Sequence, residues 1–202
     1  MAFRGLLDVP EGQCQQVKVH VTGKGGVGKT ALIRALCGHR QPHKYHETVG
    51  LQVTNVWRGQ PDTDEDEVAT YVTFWEVGAS YAQTYKYMLA AAGEGAAVVL
   101  AVFSMTDRAS FQEMHDLVAA CDGIPCVMVA TKCDALGSWN VTMAEVQALA
   151  MAEKLPLITI SNANTKLPGI SHLGLDDQTA VLPAFVELVL GCIESTIASR
   201  YW

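Results

Sequence analysis

One octapeptide limits what this chain can become. Gly23-Lys24-Gly25-Gly26-Val27-Gly28-Lys29-Thr30 is a full GxxxxGK[ST] match that follows an apolar, strand-like run, Val17 to Val21, and opens a helix-like stretch, Lys29 to Cys37. Glycines at these places let successive backbone N–H groups converge on phosphate oxygens, and the helix start adds its dipole. Lys29 is expected to neutralise the β and γ phosphates and the Thr30 hydroxyl to ligate Mg²⁺, with Gly23 to Gly28 and Ala31 lining the same cradle. The plain alternative is a glycine-rich turn with no ligand. The strand-to-helix context and the complete set of fixed positions argue against it.

Strand-like runs recur at Val17 to Val21, Gly50 to Trp57, Val68 to Trp75, Ala96 to Phe103, Pro125 to Ala130 and Pro156 to Ile160. Helix-like segments fall at Lys29 to Cys37, Tyr81 to Ala92, Arg108 to Cys121, Thr142 to Lys154 and Thr179 to Ser199. Such alternation implies an α/β fold: a six-stranded, mostly parallel sheet with helices on both faces. The second and third strands lack an intervening helix, and the acidic cluster Asp62, Asp64, Glu65, Asp66 and Glu67 between them reads as a hairpin turn. One antiparallel edge pair follows. At 202 residues and 50% hydrophobic, one domain is expected, residues 17–202 behind an extension at 1–16.

The net charge of −7 leaves no positive excess for a nucleic-acid backbone or an anionic membrane surface. The six cysteines (Cys14, Cys37, Cys121, Cys126, Cys133, Cys192) contain no CxxC and no zinc spacing, so buried thiols in a reducing, cytoplasmic setting are expected. The longest apolar run, Ala96 to Phe103, falls far short of the roughly 20 residues a membrane span needs. The start lacks the architecture of a signal peptide, no glycine follows Met1, and Arg200-Tyr201-Trp202 is no prenylation box. No direct lipid anchor is expected.

The phosphate loop alone does not name the base, because KGGVGKT is also the form used by ATPases of the ParA/MinD group, where the lysine at the place of Lys24 acts on a partner's nucleotide. Ala31 in place of a second threonine weakens that rival. Thr131-Lys132-Cys133-Asp134, directly after the fifth strand-like run, points to guanine. A carboxylate accepts from the guanine imino and amino groups, a donor pair that adenine lacks, so Asp134 is expected to select the base and the Lys132 stem to lie against its plane. The same four residues also make an ordinary strand-to-helix turn; their place one β-α-β step after the fourth strand favours the base site.

These features resemble the small GTPases, whose (N/T)KxD motif matches Thr131 to Asp134 and whose switch I threonine matches Thr48 in His46-Glu47-Thr48-Val49-Gly50. The resemblance implies that the Thr48 hydroxyl reaches Mg²⁺ and its N–H the γ phosphate, with Tyr45 as a lid over the nucleotide. Thr48 read plainly is a strand-opening residue. Asn162-Ala163-Asn164 is loosely similar to the family's SAK loop, which contacts the guanine oxygen. Lys29, Thr48 and Gly78 are the residues expected to act at the γ phosphate.

The family's DxxG is broken here: Phe74-Trp75-Glu76-Val77-Gly78-Ala79 places an acid two residues before the glycine, and it is Glu. Glu76 is expected to reach Mg²⁺ through a water. Ala79 stands where the family carries the water-orienting Gln, so hydrolysis at or below a rate of order 10⁻⁴ per second is expected. Gly25 leaves room for an arginine supplied by an activating partner. The loop, HETxG, the shortened FWExG and Phe103-Ser104-Met105-Thr106-Asp107-Arg108-Ala109-Ser110-Phe111 together resemble the Rem- and Rab-like GTPases of the ciliogenesis and planar polarity effector complex. That resemblance implies a GTP/GDP switch, monomeric outside its complex, working at the cilium base with protein effectors of the Fuzzy and Inturned kind in cilium assembly and intraflagellar transport. Three readings stand: a slowly hydrolysing GTP switch, a GTP-binding interaction module without useful hydrolysis, and a deviant-loop ATPase. No residue identifies an exchange factor or an activating protein. His20 reads as a core or edge residue, His39, His43 and His46 as solvated, and Trp57 and Trp75 as sheet core.

Overall fold

Two strands, β4 (Val98–Ser104) and β5 (Cys126–Thr131), are buried at every position. Parallel strands covered on both faces have to be apolar along their whole length, which is how these two read. The computed structural model describes residues 14–37, 39, 41–42, 44–58, 69–121 and 123–161. Within them a six-stranded sheet runs in the order β2-β3-β1-β4-β5-β6. Its other strands are β1 (Cys14–Thr22), β2 (Leu51–Arg58), β3 (Ala69–Val77) and β6 (Leu157–Thr159). Every neighbouring pair is parallel except β2 and β3, where Leu51 lies opposite Val77 and Arg58 opposite Thr70. This is the mixed sheet with one antiparallel edge pair that the alternation predicts. β1 starts at Cys14, opposite Ala69, inside the stretch read as an extension.

The helices are α1 (Lys29–Leu36), α2 (Ala79–Thr84), α3 (Lys86–Gly93), α4 (Arg108–Gln112), α5 (Met114–Ala119) and α6 (Met143–Ala152). The helix expected over Tyr81 to Ala92 is divided at Tyr85, whose φ of −123 and ψ of 76 leave the helical region. The rings of Tyr81, Tyr85 and Tyr87 meet around that break, with centroids 6.1 and 5.9 Å apart. The helix expected over Arg108 to Cys121 likewise divides at Glu113. Apolar periodicity continues through both breaks, which is why spacing alone does not reveal them. α4 starts where the Asp107 carboxylate accepts from the Ser110 N–H, and α6 carries a full capping box between Thr142 and Glu145. The last helical stretch, Thr179 to Ser199, and the acidic hairpin at 62–67 lie outside the described residues.

Side chains from the sheet fill two apolar layers. On one face Val17, Val19, Val21, Leu100, Val102, Val127 and Val129 pack under Leu32, Ile33 and Leu36 of α1. On the other, Val99, Ala101, Phe103 and Met128 meet Met114 of α5 and Val146 and Ala150 of α6. Further along that second face α3 covers β1: the Lys18 ammonium donates to the Ala91 and Glu94 carbonyls at 3.1 and 2.6 Å and lies 4.0 Å over the Trp75 ring. β1 sits between β3 and β4, so chain direction across the sheet reverses at its carboxyl end. Open α/β sheets bind ligands at such a switch point.

Candidate functional site

The 23–28 loop leaves β1 at this switch point. Gly23 has φ 143, and a Cβ there would collide with the Val102 carbonyl of β4, so only glycine lets the loop cross so close to the sheet. Val27 is fully buried and pins the far side of the loop. Lys29, 6% exposed, folds back over it: its ammonium donates to the Gly23 and Lys24 carbonyls at 2.8 and 3.0 Å. Burial lowers the Lys29 pKa, and the carboxylates of Glu76 and Glu47 act against that shift. The next residue, Thr30, turns its hydroxyl toward the ends of β2 and β3.

There three segments far apart in sequence meet. The Thr30 Oγ1 lies 2.8 Å from the Thr48 Oγ1 and donates to the Glu76 Oε1 at 2.6 Å, while the Thr48 hydroxyl donates to the same Oε1 at 3.1 Å. Glu76 is 1% exposed, and its Oε2 has no hydrogen-bond partner. A buried carboxyl oxygen without a partner is costly unless a cation or proton reaches it, so this donor set fits a divalent cation. Gly78 makes the meeting possible: a Cβ on it would collide with the Thr48 carbonyl oxygen, and its N–H donates to the Gly50 carbonyl at 2.9 Å. The Glu47 carboxylate accepts from the Ser80 N–H at 3.0 Å, tying the segment before β2 to the start of α2, and these Ser80 hydrogen bonds lower its pKa. Ala79 faces the loop itself, its Cβ 3.0 Å from where a Cβ on Gly25 would stand.

At the other end of the site, the Thr131 hydroxyl, fully buried, spans the Val27 carbonyl at 2.6 Å and the Phe103 carbonyl at 2.9 Å. This joins the proposed base-reading segment to the phosphate loop. Lys132, at φ 56, lays its side chain along the loop and donates to the Gly26 carbonyl at 2.9 Å. Asp134 is exposed, free of packing that would turn it from a ligand. Burial pushes the Cys133 thiol up to about 11, which keeps it unreactive. Tyr45 is 73% exposed on the segment leading to Thr48. Asn162, Ala163 and Asn164 lie outside the described residues, as does His43. Gly23 to Ala31, Thr48, Glu76, Gly78, Thr131, Lys132 and Asp134 are thus gathered along one edge of the sheet.

Two contacts here were not foreseen. The Lys24 ammonium pairs with the Asp107 carboxylate at 3.1 Å, within its own chain. Asp107 was legible only as part of a run; as the acidic residue ahead of Arg-Ala-Ser it is also a helix cap, and the cap brings it beside the loop. Glu47 is legible only as part of the HETxG run, which does not foretell its contact with Ser80. His20 is buried as expected, but its Nδ1 has no partner, and burial lowers its pKa to about 4. His39 and His46 are exposed. Among the described residues no helix is long and apolar enough to cross a membrane.

Comparison with known proteins bears on what such a site does. Residues 18–167 match the model of the Ras family. The chain is 33% identical over 150 residues to "Ciliogenesis and planar polarity effector 2" of Mus musculus and of Homo sapiens, covering 72% of this chain and 58% of each relative. It is 28% identical over 194 residues to the Danio rerio protein of that name, 91% of this chain and 74% of that one. The chain therefore spans less than two thirds of the mammalian relatives' length. Between the matched region and the geometry of the loop, the conclusion is that this chain belongs to the Ras family.

Proposed function

We propose that this protein is a guanine-nucleotide switch that binds GTP and GDP with Mg²⁺, hydrolyses GTP slowly, and acts through protein effectors in cilium assembly and intraflagellar transport. Guanine nucleotide, Mg²⁺ and GTPase activity are general properties of the Ras family to which the chain belongs. The observation that carries the switch reading is the contact of Thr48 with Thr30 and Glu76, which brings the segment before β2 against the start of α1 and the end of β3. Lys29 and the loop amides would hold the phosphates; the Thr30 and Thr48 hydroxyls and the Glu76 carboxyl would hold the cation; Asp134 and Lys132 would hold the base. The cation supplies charge neutralisation for the β and γ phosphates. Similarity to "Ciliogenesis and planar polarity effector 2" supports the ciliary setting, with a complex of the Fuzzy and Inturned kind at the cilium base as the proposed partner.

A GTP-binding interaction module without useful hydrolysis is the second reading. Ala79 favours it, since a methyl group over Gly25 orients no water. The deviant-loop ATPase is disfavoured by the pairing of Lys24 with Asp107 in its own chain.

The test is the affinity of the purified protein for GTP, GDP and ATP with Mg²⁺, repeated on Asp134→Asn with xanthosine nucleotides. GTP should bind well over ATP, and the variant should lose about 10³-fold for GTP while gaining XTP, the scale of two hydrogen bonds to a charged group. Preference for ATP, or no nucleotide binding, would overturn the reading.

A further inference from the structure

Two hydroxyl protons cannot serve three oxygen contacts. Thr30 Oγ1, Thr48 Oγ1 and Glu76 Oε1 stand 2.8, 2.6 and 3.1 Å from one another, yet each threonine has a single proton to give. If both protons go to Glu76, the two hydroxyl oxygens confront each other with lone pairs alone. The shortage is worse than that triangle implies, because Oε2 of the same carboxyl is buried without a partner. The Lys29 ammonium is directed at the Gly23 and Lys24 carbonyls. A proton on the carboxyl or a cation between the oxygens makes up the shortage, and beside the phosphate loop the cation is the choice that fits.

The size of the triangle says which kind. Octahedral Mg²⁺ has ligand oxygens at about 2.1 Å, so neighbouring ligands lie about 3.0 Å apart. The three observed separations, which are hydrogen-bond lengths without an ion, also come close to the edges of one face of that octahedron. A carboxylate acting through an intervening water would stand about 4 Å from the ion and would have no reason to touch both hydroxyls. The extra methylene of Glu over Asp, together with the shortened spacing to Gly78, is what carries the carboxyl this far.

We propose that Glu76 binds the divalent cation directly through Oε1, beside the Thr30 and Thr48 hydroxyls, and not by way of a water. The proposal rests on the reading of this edge of the sheet as a guanine-nucleotide and Mg²⁺ site. It makes the protein hold its cation with a carboxylate of its own as well as with the nucleotide. One water position of the cation is thereby given to protein.

Affinity alone cannot test this, because removal of an outer-shell partner also weakens a metal site, by 10- to 100-fold. The number of waters on the ion can. The full chain loaded with GDP and Mn²⁺ is examined by electron paramagnetic resonance in ¹⁷O-enriched water, alongside Glu76→Asp, whose carboxyl is one methylene shorter, and Glu76→Leu, which keeps much of the bulk but has no ligand oxygen. Wild type should show one water fewer on Mn²⁺ than both variants. If Mn²⁺ and GDP bind and the water count is the same in all three proteins, direct ligation is overturned while the nucleotide site stands. If wild type shows no GDP-dependent Mn²⁺ signal, the underlying reading falls and the proposal with it. Should one variant fail to fold, the other still decides between the first two outcomes.

Discussion

On the β2-β3-β1 side of the sheet the described interior holds His20, Lys29 and Glu76 besides Thr73, whereas on the β4-β5-β6 side its buried polar residues are Ser104, Ser110, Thr131 and Ser161, none of them charged. The hydroxyls are well served: Thr131 spans two carbonyls, the Ser110 hydroxyl accepts from the Ser104 N–H at 3.1 Å, and it donates to the Asp107 carbonyl at 2.7 Å. The charged side is not, since both His20 Nδ1 and Glu76 Oε2 lack partners. Neutral hydrogen bonds, once made, set a geometry that pH and ligands do not alter. Buried ionisable groups cost stability until a counter-charge arrives. The half that carries Lys29, Thr30 and Glu76 is therefore built to respond, and the half that carries Thr131 is built to stay put.

The largest expected effect would break the responsive half. Gly78→Ala forces a Cβ into the Thr48 carbonyl, and should cost about 3 kcal/mol in urea unfolding, as overpacking does. The control is Gly137→Ala on the other half, where the added Cβ meets open space and should cost far less. Equal losses at the two glycines would refute the close approach of 48 and 78.

The fixed half is probed by Thr131→Val, which keeps the shape and removes the hydroxyl that joins β5 to the phosphate loop. Removing the single proton that the Val27 and Phe103 carbonyls share should cost about 2 kcal/mol. That loss should be the same at pH 7.5 and 5.5, because no charge is involved. A pH-dependent loss would contradict the contrast drawn between the halves.

His20 sharpens the same contrast from the other side. Its folded pKa of about 4 lies below the ordinary 6.5, so between those values the unfolded chain binds a proton that the fold refuses. Its contribution to stability is complete above pH 6.5 and falls as the pH drops toward 4. Between pH 7.5 and 5.5 the loss should be about 1.4 kcal/mol, read from urea midpoints, and His20→Phe should remove most of that slope. An unchanged slope in the variant would place the titration elsewhere.

The smallest effect concerns hydrolysis. Ala79→Gln restores a water-orienting amide beside Gly25, and single-turnover GTP hydrolysis should rise about fivefold, near 1 kcal/mol in the barrier. No change would mean that the shortened segment between Glu76 and Gly78 directs residue 79 away from the attacking water.

Much of the frame was legible from residue order. The continuous apolar runs at β4 and β5, the turn-forming break between β2 and β3, and the octapeptide after β1 each carry a strong local signal, though the octapeptide alone does not name the base. Local signals do not report what interrupts them, as the breaks at Tyr85 and Glu113 demonstrate. Nor do they report pairings across the fold, such as Glu47 with Ser80 or Lys24 with Asp107.

Spacing within the chain therefore determined the glycine-rich loop, the order of strands and helices, and which residues are candidates for the site, because each depends on neighbours in sequence and on backbone preference. Only the tertiary structure decided that Thr30, Thr48 and Glu76 form a single triangle of oxygens, that Ala79 lies against Gly25, and that the charged interior belongs to one half of the sheet. Those arrangements depend on the register of β1 against β3 and of β2 against β3. A shift of one residue in either pairing would turn Glu76 to the opposite face, and nothing local to residue 76 encodes that choice.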